Sequence, residues 1–203
     1  MRQRSKRYNG LAGQIGGDGS RPLEEGVALV KRLATAKFTE SVDVAIRLAL
    51  DTKKADQSIR GSISLPHGTG KDVRVVVFVD DPEKIRDCLA AGAAKAGGED
   101  LVNAVNDGFM DFDIAIAAPK MMRHVGKLGR VLGPRGLMPT PKAGTVTDDV
   151  VTAVKEFKAG KVEYRADSAG NVHVRVGTVA FPPEHLADNV RALVRHLAEG
   201  RPA

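Results

Sequence analysis

The chain has 203 residues with 31 Lys plus Arg against 25 Asp plus Glu, a formal charge of +6, and a pI near 9.5: enough for one large or two small domains, with a polyanion such as nucleic acid or an anionic membrane as the expected partner. The membrane reading weakens because no run of about 18 apolar residues exists and the N-terminus MRQRSKRYNG leads into glycines, not an apolar signal core. A single cysteine excludes an internal disulfide framework and a thiolate metal cluster and suits a reducing compartment, and 42% hydrophobic residues argue against disorder.

Four of the first seven residues are basic: Arg2, Arg4, Lys6 and Arg7. They form either a solvated tail or an arm that neutralises phosphates. The glycine-rich NGLAGQIGGDGS that follows is expected to be loosely ordered. Pro22 to Ala34 opens with Pro and two Glu and then repeats apolar residues at helical spacing, so it reads as a helix. Phe38 to Leu50 alternates, with Val42, Val44 and Ile46 on one face, and reads as a long strand. Lys53 to Arg60 is a polar turn or crossover, and Gly61 to Leu65 alternates again as a strand, with Ile63 and Leu65 facing one way.

The middle of the chain changes character. Val73 to Val79 is a near-continuous β-branched run, the pattern of a strand buried on both faces of a parallel sheet. Pro82 to Ala96 reads as an Ala-rich helix, Asp111 to Ala117 as a second buried strand, and Pro119 to Leu132 as another helix, which together imply right-handed βαβ layering. Alternation then returns: Lys161 to Ala166 and Val172 to Phe181 flank the turn residues 167–171 as a hairpin-like unit. Pro183 to Glu199 closes as an amphipathic helix with Leu186, Val190, Leu193, Val194 and Leu197 on one stripe. The two ends resemble each other and not the middle. The expectation is therefore one domain from residues 1–67 and 159–203 and an inserted α/β domain from 68–158. The chain would cross between them twice, at Gly68 and Gly70 and again at Gly160, and these glycines would act as a hinge.

Charge follows the same division. Residues 1–66 carry 12 basic and 7 acidic side chains, 67–158 carry 13 of each, and 159–203 carry 6 and 5. The middle segment is neutral overall, yet no acid lies between Asp113 and Asp148, where Lys120, Arg123, Lys127, Arg130, Arg135 and Lys142 fall.

Catalytic and cofactor motifs are weak. Gly68-Thr69-Gly70-Lys71 resembles the tail of a phosphate-binding loop, but Leu65 and Asp72 stand where that loop needs Gly and Ser or Thr, and the fragment precedes a strand instead of following one. None of the five histidines pairs at metal-ligand spacing, Cys88 sits in the Ala-rich helix as a small apolar residue, and no nucleophile elbow occurs, so neither a metal nor a cofactor is expected. With no Trp and 4% aromatics, base stacking is a poor mode of binding, which leaves phosphate contacts and shape. The rival is a small-molecule binder or enzyme using the strand ends of the α/β insert; it lacks a phosphate fingerprint.

The densest signal is Val125 to Thr147, VGKLGRVLGPRGLMPTPKAGTVT, where five glycines and three prolines forbid regular helix beyond about Leu132. The result is a backbone-defined loop carrying Lys127, Arg130, Arg135 and Lys142, either as solvated charges or as a polyanion contact.

This stretch closely resembles the signature of the bacterial large-subunit ribosomal proteins of the L-one family. ATAKFTESVDVAIRLALD, KKADQSIRGSISLPHGTGK, DFDIAIAAP, KAGKVEYRAD and FPPEHLADNVRALVRHL match at the expected places, so the resemblance runs from about Leu23 onwards. It implies a terminal α+β domain made from both chain ends and an inserted Rossmann-like, three-layer α/β/α domain. It also implies binding to large-subunit rRNA at the mobile stalk beside the tRNA exit site, help in releasing exit-site tRNA, and repression of the protein's own mRNA. Carried over residue by residue, the RNA surface comprises Lys37, Phe38, Ser41, Asp43, Lys54, Arg60, Arg165, Asp167, Ser168 and His173. The four cations would meet phosphates, and Ser41, Asp43 and Asp167 would accept from 2′-hydroxyls or base edges. Phe38 would offer a flat surface to a sugar or base; its alternative is a core strand position. The chain ends at RHLAEGRPA, where the family usually continues through another strand with a Thr-Met-Gly-Pro-like loop, so the terminal domain is expected to lack its last strand.

Overall fold

The computed structural model of the chain describes residues 4–16, 19–50 and 59–200, so Arg2, Lys54 and most of the expected polar turn lie outside the described residues. The N-terminal segment differs from its glycine-rich reading. Lys6–Ile15 is a helix, α1, because Ser5 caps it by accepting from the Tyr8 amide and Gly16 ends it in the left-handed region at φ +69°. Helix α2 spans Leu23–Leu33, and strand β1 occupies only Ser41–Arg47 of the expected Phe38–Leu50 run. Strand β2 is Arg60–Ser64.

Strand β3 (Val75–Phe78) is fully buried, as its β-branched run demands. Helix α3 (Pro82–Ala90) starts on an Asp81 cap with Pro82 in its first turn. It stops six residues before the expected end at Ala96. Gly92 turns the chain at φ +99°, the Ala93 amide returns to the Cys88 carbonyl, and the freed residues form strand β4 (Lys95–Gly97). Helix α4 (Glu99–Asn106) and strand β5 (Ile114–Ala117) follow. The single helix expected over Pro119 to Leu132 is a run of short turns: 3-10 at Pro119–Met121, α5 at Met122–Val125, 3-10 at Gly126–Leu128 and α6 at Gly129–Leu132. Gly126 and Gly129 favour this segmentation, since glycine weakens helix continuity. Helix α7 is Val150–Ala159.

Strands β6 (Lys161–Arg165) and β7 (Asn171–Thr178) do not form the expected hairpin. They share only the bridge Ala166–Val172, and each pairs antiparallel with a strand from the other end of the chain: β2 with β6, β1 with β7. Helix α8 (Pro183–Glu199) closes the described chain. Leu186, Leu193 and Leu197 are buried as expected, but Val194 is 50% exposed and does not belong to the stripe, because it follows Leu193 directly and is rotated about 100° from it.

The fold is therefore mixed α/β. In the parallel sheet, β3 lies between β4 and β5, and its side chains alternate between two cores. Val75, Val77 and Val79 join Cys88, Val154 and Phe157 under α3 and α7. Val76 and Phe78 join Leu101, Val105, Val125 and Leu128 under α4 and the short turns. A third apolar cluster draws only on the two chain ends: Val27, Ile59, Ile63, Leu65, Tyr164, Val172, Val174, Val176, Leu186, Leu193 and Leu197.

The chain passes between these clusters at two adjacent points. Gly68, Gly70 and Gly160 have φ of +64°, +69° and +115°. A Cβ on Gly160 would overlap the Cα of Gly68, and one on Gly70 would lie 2.6 Å from the Phe181 ring, so side chains are excluded by space as well as by conformation. Fully buried Asn189 on α8 locks the crossing: its Nδ2 donates to the carbonyls of Gly68 at 2.9 Å and Val176 at 2.7 Å, and its Oδ1 accepts from the His67 amide at 3.1 Å.

Candidate nucleic-acid interface

Strand periodicity builds the site. Val42, Val44 and Ile46 of β1 pack towards the terminal cluster, which turns Ser41, Asp43, Ala45 and Arg47 outwards. Register places Asp43 opposite Arg175, Ala45 opposite His173 and Arg47 opposite Asn171 on β7. In the second ribbon, Ile63 and Tyr164 face inwards, and Arg60 stands opposite Arg165, Ser62 opposite Glu163 and Ser64 opposite Lys161. Two outward rows of polar side chains result, joined through the Ala166–Val172 bridge.

Ion pairs divide the cations of these rows. The Arg60 guanidinium holds Glu163 at 2.5 and 2.7 Å, and Arg175 lies 3.6 Å from Asp43, which also accepts from the Ser41 hydroxyl at 2.8 Å. Arg47 and Arg165 are exposed and have no charge partner among the described residues. Arg60 and Arg165 stand directly across strands; Glu163 relieves the repulsion at Arg60, and Arg165 remains available to an external anion.

Asp167 has a different surrounding from that of a free acceptor. Its Oδ1 accepts from the amides of Asn171 at 2.9 Å and Ala169 at 2.8 Å, and the Asn171 side chain donates to its Oδ2 at 3.2 Å. These bonds, those from Asn171 first, hold its carboxyl below the ordinary aspartate range. Its carboxylate shapes the turn that carries Ser168 and leads into β7, and His173 lies 3.6 Å from Oδ2.

The structure brings Ser41, Asp43, Arg60, Arg165 and His173 onto the strand rows, with Asp167 and Ser168 at the connecting turn. Lys37 and Phe38 precede the opposite end of β1, about 20 Å from the Arg47 end for seven residues of strand. Phe38 is 72% exposed, which settles its two readings against the core. The polar rows also hold Arg47, Lys161 and Arg175, which the sequence reading did not single out. Each stands an even number of residues from a residue it did name: Asp43, Arg165 and His173 respectively. Period-two alternation was the signal that could have found them.

A cleft of about 790 Å³ lies between these rows and the glycine–proline loop. Arg60, Lys161, Arg165 and Arg175 line one side and Arg135, Gly136, Leu137 and Met138 the other, with Asp43, Asp113 and Glu163 as its acids. Asp113 is held by Lys71 at 2.7 Å and by the Arg74 amide and Nε, each at 3.1 Å. Partial burial would raise its pKa, but the bonds from Arg74 and Lys71 outweigh that and push it well below the ordinary value. Of the four basic-loop residues, only Arg135 lines this cleft; Lys127, Arg130 and Lys142 are exposed elsewhere. No helix among the described residues is long and apolar enough to cross a membrane.

The family model of the Ribosomal protein L1p/L10e family matches residues 30–203. Large ribosomal subunit protein uL1 of Fervidobacterium nodosum is 50% identical over 204 residues, covering 100% of this chain and 86% of that protein. The proteins of the same name from Burkholderia mallei and Burkholderia thailandensis are each 51% identical over 203 residues, covering 100% of this chain and 87% of theirs. Matched over most of its length by the family model and over all of it by such relatives, the chain belongs to the ribosomal protein L1 family.

Proposed function

We propose that this chain acts without catalysis, as a component of the large ribosomal subunit whose outward strand rows grip large-subunit rRNA. The observation that carries this reading is the cross-strand pair Arg60 and Arg165, flanked by Lys161 and Arg175 on one rim of a wide cleft. Arg60, Lys161 and Arg175 are balanced by Glu163, Glu156 and Asp43, which leaves Arg165 as the unpaired cation of the group among the described residues. Such a sheet with few aromatics suits phosphate and 2′-hydroxyl contacts on a shaped RNA. Lys37, Phe38, Lys54, Ser41, Asp43, Ser168 and His173 extend the surface as the family resemblance implies.

The finer reading is that the protein belongs to the mobile stalk near the tRNA exit site, aids release of deacylated tRNA, and represses its own mRNA through a similar RNA shape. The RNA-binding domain comprises residues 1–67 and 159–203, and residues 68–158 form an insert hinged at Gly68, Gly70 and Gly160. Separation of the apolar clusters at those boundaries supports this division.

Binding of the full chain to a large-subunit rRNA transcript tests the reading. Arg60→Ala and Arg165→Ala should each weaken it by about 1–3 kcal/mol, and an excess of the protein's own mRNA leader should compete. Wild-type affinity in both variants would remove the strand rows from the site.

A further inference from the structure

The insert carries a second charged feature, outside the cleft. Lys120, Arg123, Lys127 and Arg130 follow one another at intervals of three, four and three residues along the helical turns of 119–132, and all four are exposed. Although the turns alternate between 3-10 and α, the four cations are exposed while Met121, Val125, Leu128 and Leu132 between and beyond them are buried in the core, so the cations line the outer side of the segment. None has an ion pair or hydrogen bond among the described residues. Several other cations of the insert are engaged, Lys71 with Asp113, Arg74 with Asp111 and Asp113, Lys158 with Asp72, and Lys95 over the Phe109 ring, whereas Arg86, Arg135 and Lys142 are exposed singly and do not join a row. An ordinary solvated helix face mixes signs, because like charges three or four residues apart repel. Glu99 lies 2.8 Å from His124, next to Arg123 in sequence.

A second cost to the fold lies beside the stripe. Gly126 and Gly129 have right-handed helical conformations, and a Cβ on either would meet nothing within 4 Å. Neither backbone angle nor packing requires glycine there; the effect of the pair on the fold is to favour the broken, segmented helix. What the two glycines do provide is bare backbone next to a row of cations, and close backbone approach to a phosphate is a recurrent use of glycine.

We propose that this face binds the phosphate backbone of a second RNA segment, separate from the one held by the strand rows. The inference rests on the proposed RNA-binding function and extends it from one surface to two. An acidic protein is the less favoured occupant, because no large apolar side chain among the described residues of 119–147 is exposed to anchor it.

The test is binding of the full chain to a full-length large-subunit rRNA transcript across a salt series. The double variant Lys127→Ala/Arg130→Ala should lose about tenfold in affinity and show a salt dependence shallower by about two units of slope. Gly126→Ala/Gly129→Ala should melt at or above the wild-type temperature and still bind RNA more weakly. Wild-type affinity and slope in the cation variant overturn the proposal, and wild-type affinity in the glycine variant overturns its close-approach half. If the cation variant loses polyglutamate binding but holds RNA at wild-type strength, the face belongs to an acidic protein and the proposal falls. Arg60→Ala, run alongside, separates the two readings. If it weakens RNA binding while the stripe variants do not, only the second surface fails; if the wild-type chain binds no RNA, the proposed function fails as well.

Discussion

Asn189 illustrates how one buried amide can organise a crossing. Both of its donated hydrogen bonds and its one accepted bond end on backbone groups, at residues 67–68 and on β7 at Val176, so no apolar residue of similar size satisfies them. Asn189→Leu should destabilise the chain by roughly 2–4 kcal/mol, read from urea unfolding, because the two carbonyls and one amide lose their partner. A loss below about 0.5 kcal/mol would mean that water or a backbone shift replaces the clamp. Asp113 has a distinct signature. Its folded pKa lies below its unfolded value, so its contribution is present above about pH 4 and fades as acid protonates it. Asp113→Asn should therefore cost about 1–3 kcal/mol at neutral pH and flatten the acid limb of the stability curve below about pH 4. An unchanged acid limb would show that the carboxylate contributes nothing through its ionisation.

At the scale of elements, long periodic segments were legible and short ones were not. Helices α2 and α8 lie where their apolar spacing puts them, and the β-branched run of β3 is buried on both faces as expected. Strand β4 is three residues of Lys, Ala and Gly, which carry no strand pattern and exist as a strand only because β3 offers its edge. Helix α7 was readable and went unread: Asp149 caps it, and Val150, Ala153, Val154 and Phe157 recur at helical spacing. The hairpin expected of β6 and β7 failed for a nonlocal reason. Each strand finds a partner about a hundred residues away or more, which no turn signal can reveal. On the site, motif resemblance supplied named residues, whereas strand alternation decides which neighbours share their face, hence Arg47, Lys161 and Arg175. Exposed α1 was hidden by its glycines, and it is held to the rest of the chain by Arg7, which donates to Thr35 at 2.9 Å and to Glu40 at 3.4 Å. Because Gly13 lies inside the helix with open space around it, Gly13→Ala should raise helical content in far-UV circular dichroism.

For the whole molecule, the net charge of +6 is a poor guide to where exposed cations cluster. The neutral middle segment displays an unpaired basic stripe, while part of the basic surplus at the ends is spent on ion pairs such as Arg60 with Glu163 and Arg191 with Glu24. Separate apolar clusters predict separate stability. Residues 68–158 produced alone should give a dispersed amide spectrum and a cooperative unfolding transition, and a collapsed spectrum would show that the insert needs the rest of the chain. The contact of Gly68 with Gly160 carries a consequence for protein engineering and ancestry alike. The entrance and exit of the middle segment lie side by side, so under the proposed division the two ends of the surrounding scaffold are already adjacent. Excising residues 69–159 and closing the gap with one or two glycines would replace a loop of about ninety residues by a tight turn, at a lower closure entropy. Under the proposed domain division, such a connection would make the middle segment a removable cassette, and the surrounding scaffold a host into which another domain could be spliced.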